Sequence, residues 1–483
     1  MPRGYMIGPA YRKKLLMGLR TIQIALLFFS GICVLIGFMS GSLVIGAILG
    51  SVFIGAAFMP IGGRVIDEWV LVMYNWISKG TKKQRTTQTA SAFVGSEAAS
   101  RKALPPPVFK GVKLLKVGIG DGRTIGVIKD STEGSYSAVI SLKGDAFALL
   151  DADEQEQRLG QWSQILASFA RDGTPVHRIQ WIERAIPEDG DQIAKYYQQE
   201  QDMDPLNPIA VAYQELIADA GPVTTNHEIY IVMSISQGKS AKAIKAAGGG
   251  DNGACEVLLS ELNNMYAHLT GAAVQLIGTL SPEEIALMFR VGFEPNKIQE
   301  LTKAAKSGHG VTTDIWPSAV DEQWSYIRTD SCYHASLWIS EWPRTEVGAD
   351  FFAPLLLYTH ATRSICMIME PLAPSKIFHE VETAKTTMMA DKDLKQRAGF
   401  VLHQRSQRDY EELERRELEL TQGHGPYRFS AYVVCSGESL EQLEHTLSEV
   451  EQAGHQSRIL LRRLYGEQAS TFATSFPLGR GLR

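Results

Sequence analysis

Residues 21–63 form a run of forty-three positions without a charge at the head of a chain that is otherwise mixed in polarity. At about 1.5 Å of rise per helical residue, such a run could cross a ~30 Å hydrocarbon layer twice. Its one clustered polar break, Ser40, Gly41 and Ser42, divides it into residues 21–39 and 43–60. The pattern therefore predicts an N-terminal transmembrane helical hairpin that turns at the break. A cleavable leader has an apolar stretch of only roughly 7 to 15 residues, and a helix pair in a water-soluble core keeps a polar stripe that neither segment shows. Gly31, Gly37, Gly46, Gly50 and Gly55 predict close helix approach. Gly46 and Gly50 give a GxxxG spacing that packs the hairpin on itself and leaves self-association into a homo-oligomer open. Arg3, Arg12, Lys13, Lys14 and Arg20 precede the run, Arg64, Lys79, Lys82, Lys83 and Arg85 follow it, and none interrupts it. That asymmetry predicts both termini on the cytoplasmic side of the inner membrane.

Beyond the hairpin the pattern changes twice. Residues 79–107 are poor in large apolar side chains and end in three prolines, which reads as a linker. Short apolar runs then predict strands at 108–119, 124–128 and 136–142, with a hairpin turn at Asp121 and Gly122. An amphipathic stretch at 153–171, a strand at 176–185, helical patterns at 191–201 and 208–219, a strand at 228–236 and a helix at 256–269 follow. The second half repeats the style with strands at 333–342, 363–369, 427–434 and 458–464, a charged helical region at 374–420 and a helix at 440–453. The prediction is an α+β body of duplicated ferredoxin-like subdomains. RIQWIERAIP, ending at Pro187, and ASLWISEWPR, ending at Arg344, are its best internal match. The domain plan is residues 1–78 for the hairpin and its basic flanks, 79–107 for the linker, and 108–330 and 331–483 for the two subdomains. EELERRELEL, residues 411–420, reads as a solvated helix face with i, i+4 pairs, a helical arm offered to a partner subunit being the alternative.

Charge separates the parts. Residues 1–85 carry ten Lys or Arg against Asp67 and Glu68, so the total of −5 leaves −13 for residues 86–483. An acidic body argues against nucleic acid as its direct ligand, while the basic flanks suit anionic lipid headgroups. Cys33, Cys255, Cys332, Cys366 and Cys435 show no CxxC spacing and read as reduced thiols.

Candidate chemistry is sparse. Gly238, Lys239 and Ser240 follow an apolar strand and precede a helical run, as in a phosphate-binding loop. A Walker A motif needs a glycine five residues before Gly238, where this chain has Met233 inside the strand. Residues 147–151, FALLD, imitate a Walker B strand, but the following DADEQEQ makes Asp151 or Asp153 a helix N-cap. Gly118, Gly120 and Gly122 lack the glycine a dinucleotide loop wants at 123, which is Arg123. Gly248 to Gly250 read as a helix stop, and Glu283 and Glu284 after Ser281-Pro282 as a helix start. The histidines are dispersed; His379 and His403 sit on predicted helices. No catalytic residue, cofactor site or metal site is nominated, and the chain reads as a non-enzyme.

CYHASLWISEWP at 332–343, VGADFFAPLLL at 347–357, the helix after Ala373-Pro374 and the tail TFATSFPLGRGLR ending at Arg483 carry a resemblance. By these stretches the chain resembles the two-helix membrane proteins of actinobacterial conjugative elements. Its plan is similar to the small two-helix inner-membrane subunit of type IV secretion fused to the N-terminal, non-nucleotide-binding part of the assembly ATPase. The resemblance implies a platform for DNA transfer, with a separately encoded P-loop ATPase, other membrane subunits and the lipid bilayer as partners. In such ATPases a segment like SFPLGRGLR leads into the motor lobe. Phe476, Pro477, Leu478, Arg480 and Arg483 are therefore the expected docking residues for the separate ATPase; a final strand closing the chain's own sheet is the competing expectation. A membrane-tethered enzyme or nucleotide sensor using Gly238, Lys239 and Ser240 is the alternative function.

Overall fold

The computed structural model describes residues 21–58, 66–82, 84–88, 104–120, 122–144, 150–187, 207–220, 225–271, 274–306, 315–343, 345–357, 361–397 and 425–482, with a few isolated positions besides. Two compact units emerge, Pro9–Arg85 and a body carried by Thr86–Arg483.

The first unit holds α1 (Thr21–Met39), α2 (Leu43–Phe58) and α3 (Ile66–Thr81). Gly41, with φ +72°, makes the tight turn between α1 and α2, where the Ser42 amide donates to the Gly37 carbonyl at 2.9 Å. A Cβ at Gly37 would lie 2.6 Å from the Gly46 Cα, so the two backbones meet there only because both residues lack side chains. Ser30 Oγ donates to the Gly50 carbonyl at 2.9 Å further along the pair. Gly46 and Gly50 thus pack the hairpin on itself, whereas a Cβ at Gly31 or Gly55 would meet nothing within 4 Å.

The transmembrane part of the expectation is corrected. Among the described residues no helix is long and apolar enough to cross a membrane. α1 fills residues 21–39 as the pattern predicts, but α2 covers only 43–58, sixteen residues that rise about 24 Å. Of the basic flanks, Arg3, Arg12, Lys13, Lys14, Arg20, Arg64 and Lys83 lie outside the described residues. The linker expectation is narrowed, since α3 runs to Thr81 and a strand, β1 (Thr86–Gln88), pairs inside the body; residues 89–103 lie outside the description.

Among the described residues the body is α+β, built on one antiparallel sheet of thirteen strands. After β1 come β2 (Val112–Gly118), β3 (Thr124–Asp130), β4 (Ser135–Leu142), α4 (Ala152–Phe169), β5 (Val176–Pro187), α5 (Pro208–Ala220) and β6 (Thr225–Ser236). Then follow α6 (Ala241–Ala246), α7 (Gly250–Gly271), β7 (Leu276–Thr279), α8 (Pro282–Phe293) and α9 (Ile298–Lys306). The second half holds β8 (Ala319–Glu322), β9 (Ile327–Thr329), β10 (Cys332–Glu341), α10 (Ala353–Leu357), β11 (Arg363–Pro371) and α11 (Pro374–Arg397). It closes with β12 (Tyr427–Gly437), α12 (Leu440–Gln456), β13 (Leu460–Arg463) and α13 (Gln468–Phe472).

Strand order gives the architecture. In the first half β7 pairs β4, β4 pairs β6 and β6 pairs β5; in the second, β13 pairs β10, β10 pairs β12 and β12 pairs β11. Each half is therefore a strand-helix-strand-strand-helix-strand unit of ferredoxin-like order, and β5 joins β11 to make one sheet. Topology matches β5 with β11, not with β10 as the RIQWIERAIP and ASLWISEWPR likeness suggests. That likeness reflects alternating aromatic and charged positions shared by two interior strands.

Alternation sorts the side chains onto two faces. Ala138, Ile140, Ile231, Met233, Val433 and Cys435 point to one face, under α4, α7 and α12. Val139, Val232, Ile182, Cys366 and Val434 point to the other, under α8, α13 and the C-terminal tail. Helix starts follow the local sequence. The Asp151 carboxylate accepts from the Glu154 amide, and Ser281 with Glu284 forms a capping box at α8. Gly248, Gly249 and Gly250 all have positive φ after α6, as a helix stop requires. The helical pattern at 191–201 lies almost wholly outside the described residues, as do His403 and half of residues 411–420.

Candidate functional site

Three places in the body gather polar or motif residues. The first is the C-terminal tail. Phe476 is buried with its ring centroid 4.9 Å from Phe109, 4.8 Å from Phe293 and 5.2 Å from Phe289. Pro477 and Leu478 are buried beside it. Gln180, inside β5, grips the tail backbone: its Nε2 donates to the Thr474 and Phe476 carbonyls at 2.6 and 3.0 Å, and its Oε1 accepts from the Gly479 amide at 2.8 Å. Gly479 has φ +63°, and a Cβ there would meet Ser234 Oγ at 2.9 Å, so this seat requires glycine. Arg480 forks onto Asp130 at 2.5 and 2.7 Å and also donates to the Val108 carbonyl. The expected docking residues Phe476, Pro477, Leu478 and Arg480 are therefore spent on the chain's own core, and Arg483 lies outside the described residues. The segment is a cover over the β5–β11 seam rather than an added strand.

The second place is the loop Gly238-Lys239-Ser240. Ser240 is buried and its hydroxyl donates to the Pro175 carbonyl at 3.1 Å. Lys239 Nζ donates to Glu370 Oε1 at 2.9 Å, and Arg428 Nη2 to Glu370 Oε2 at 2.7 Å. Burial alone would raise the Glu370 carboxyl, but these two charge-assisted bonds outweigh it and hold it below the usual carboxylate value. His177 Nδ1 stands 3.9 Å from the same carboxylate. Burial, with Arg178, Lys239 and Arg428 nearby, lowers the His177 pKa to about 4, so the ring is neutral near pH 7. The loop works as a brace between the two halves of the sheet, since Lys239 follows β6 while Glu370 and Arg428 belong to β11 and β12. The Ser240 and Ala241 amides donate to the Ser236 and Gly238 carbonyls, and the lysine already has a carboxylate. Lys239→Ala is accordingly expected to leave ATP binding by the purified protein unchanged, as read by equilibrium dialysis with labelled ATP.

The third place is the seam itself. Arg363 and Glu183 are buried, with Arg363 Nη1 donating to Glu183 Oε2 at 2.6 Å. Arg363 also donates to Thr359 Oγ1 and the Leu356 carbonyl, and His227 Nδ1 lies 2.7 Å from Glu183 Oε1. On the opposite face Arg184 is buried, its Nη1 donating to the Met288 carbonyl at 2.9 Å. Glu183, Arg363 and His227 satisfy one another rather than presenting a nucleophile to solvent, while Arg184 spends its Nη atoms on the Met288 and Ser475 carbonyls and its buried Nε has no partner among the described residues.

A buried histidine adds a pH response. His334 lies between Thr329 and Ser436, each at 2.8 Å, and burial lowers its pKa to about 4. In the unfolded chain it would titrate near 6.5. The folded body is thus free of this penalty above pH 6.5 and loses stability as pH falls toward 4, by on the order of 3 kcal/mol in full. His177 acts in the same direction. Urea midpoints measured between about pH 7 and 4 should show the decline, and His334→Gln should make it shallower, leaving the share from His177.

The remaining candidates resolve as structure. Burial raises the Cys366 and Cys435 thiols to about 12, which keeps both protonated. No group of metal-ligating side chains occurs among the described residues. A shallow hollow of about 230 Å³ lies between Glu346, Phe351, Ser457 and Arg458. No protein-family model matches the chain, and no curated protein matches it.

Neither the glutamine grip on the tail nor the Arg363–Glu183 pair was foreseen from the sequence. Both link residues far apart in the chain, 294 and 180 positions respectively. The apolar residues Phe472, Phe476, Pro477 and Leu478 near the end of the sequence were the local sign of the tail's seat.

Proposed function

We propose that this protein is a non-catalytic platform subunit of a conjugative DNA-transfer apparatus of the type IV secretion kind, held at a membrane surface and recruiting a separately encoded P-loop ATPase. The observation that carries the reading is the outward apolar surface of α1 and α2. Phe38 is 69% exposed and Val44 71%, and Phe28, Ile36, Met39, Ile45 and Val52 are exposed with them. Contiguous apolar surface on this scale needs a non-aqueous neighbour, either lipid or other membrane subunits. The body supports the platform half of the reading. Its fused sheet is braced across the seam, its phosphate-loop look-alike is committed to Glu370 and Pro175, and its net charge is acidic. The resemblance in CYHASLWISEWP, VGADFFAPLLL and the tail motif supports the DNA-transfer setting.

Since the tail is buried, the ATPase would dock on the exposed surface of the body. The test is affinity purification of the full-length protein from membranes of cells carrying its locus. A P-loop ATPase encoded at that locus should copurify. Recovery of the protein in the soluble fraction without that ATPase would refute the proposal.

A further inference from the structure

The third helix carries a feature that the platform reading does not use. Val70, Met73, Tyr74 and Ile77 of α3 lie at i, i+3, i+4 and i+7, so they form one stripe along the helix. All four are exposed, by 52% to 69%, and Leu71 beside the stripe is 63% exposed. Val72, on another side of the helix, is 5% exposed, and Trp69 and Trp76 are half-buried. The outward stripe is therefore not the face that packs inside its own unit. Its chemistry is graded: aliphatic side chains with one tyrosine, flanked by Asn75 and by tryptophans. At its C-terminal end stand Lys79, Lys82 and Arg85, and the Arg85 guanidinium sits 3.9 Å over the Trp76 ring. Asp67 and Glu68 occupy the opposite end of the helix in sequence.

We infer that α3 lies in the plane of an anionic lipid surface, with Val70, Met73, Tyr74 and Ile77 in the headgroup-acyl boundary and Lys79 and Lys82 on lipid phosphates. The inference rests on the membrane-surface attachment proposed above, and adds which element lies on the surface and which lipids it selects. Three arguments favour lipid over a second copy or a protein groove. A 16-residue helix with an outward apolar face and its charged residues at its two ends suits an interface better than a bilayer interior. Tyr74, on the stripe itself, favours the headgroup level, where an apolar ring and a polar tip are both satisfied. The basic end complements phosphate, each such charge being worth roughly a fivefold gain in affinity for an anionic surface.

The experiment uses the full chain with Cys33→Ser, the four cysteines of the body being buried. A bimane probe is attached at Ile77→Cys or, as the control off the stripe, at Asn75→Cys. Phosphatidylcholine vesicles with and without phosphatidylglycerol are added, and emission, iodide quenching and flotation are read. On phosphatidylglycerol vesicles the probe at 77 should shift blue and resist iodide, while the probe at 75 stays quenchable. Lys79→Ala and Lys82→Ala should each weaken binding by roughly fivefold, and added salt should weaken it further. If the chain floats but both probes quench alike, attachment holds and α3 is not the element on the surface. If the probe at 77 responds equally to both vesicle types, the headgroup pairing is wrong. If the chain does not float with either vesicle, the attachment itself fails, and this inference with it.

Discussion

Removal of residues 476–483 is expected to unfold the body rather than to uncouple it from a partner. Phe476 fills the centre of an aromatic cluster with Phe109, Phe289, Phe293 and Phe472, and its side chain is 0% exposed. Phe476→Ala alone should cost about 3–5 kcal/mol, from lost transfer energy and the cavity left behind. That is a large part of the roughly 5–15 kcal/mol that keeps an ordinary domain folded. Truncation adds the loss of the Arg480 fork on Asp130 and leaves Gln180 buried without the tail amide and one of the two carbonyls it holds. Urea titration followed by circular dichroism should show a lower midpoint for Phe476→Ala and no cooperative transition for the truncated chain. A truncated body that unfolds at the wild-type midpoint would mean that the tail is a dispensable cover.

The second large effect concerns the seam. Glu183→Ala should destabilise by about 3–5 kcal/mol, because it strands the buried Arg363 guanidinium. Pairing Glu183→Leu with Arg363→Met should recover most of that loss, since an apolar pair of similar volume needs no desolvated charge. His227 would then lose its carboxylate partner, a small cost at a partly exposed ring. A double variant as unstable as Glu183→Ala would show that the wider network, with Thr359 and the Leu356 carbonyl, carries the stability instead of the ion pair.

Elements with local causes were legible in the sequence. Asp151 and Ser281 announced α4 and α8 by capping, the glycines after Ala246 marked the end of α6, and the Ser40–Gly41–Ser42 break gave the α1–α2 turn. The α+β body was readable from its alternation. Features set by distance were not. The break in the uncharged run gave the ends of α1 and the start of α2, but the run's lack of charge was read as membrane-spanning length, which no described helix has. The β5–β11 joint lies beyond any local pattern, since Ile182 meets Cys366 only in the assembled sheet. The tail's apolar residues were noticed, but whether Phe476 faced its own core or a partner was not encoded locally. Gln180, which decides it, looks in sequence like any polar residue of a strand.

The most direct test of the platform account is a reconstitution from two purified proteins, the full-length chain and the P-loop ATPase of its locus. The account predicts a stable complex in which ATP hydrolysis vanishes when the ATPase loses its own P-loop lysine and persists when this chain carries Lys239→Ala. Hydrolysis by this chain alone, abolished by Lys239→Ala, would contradict it.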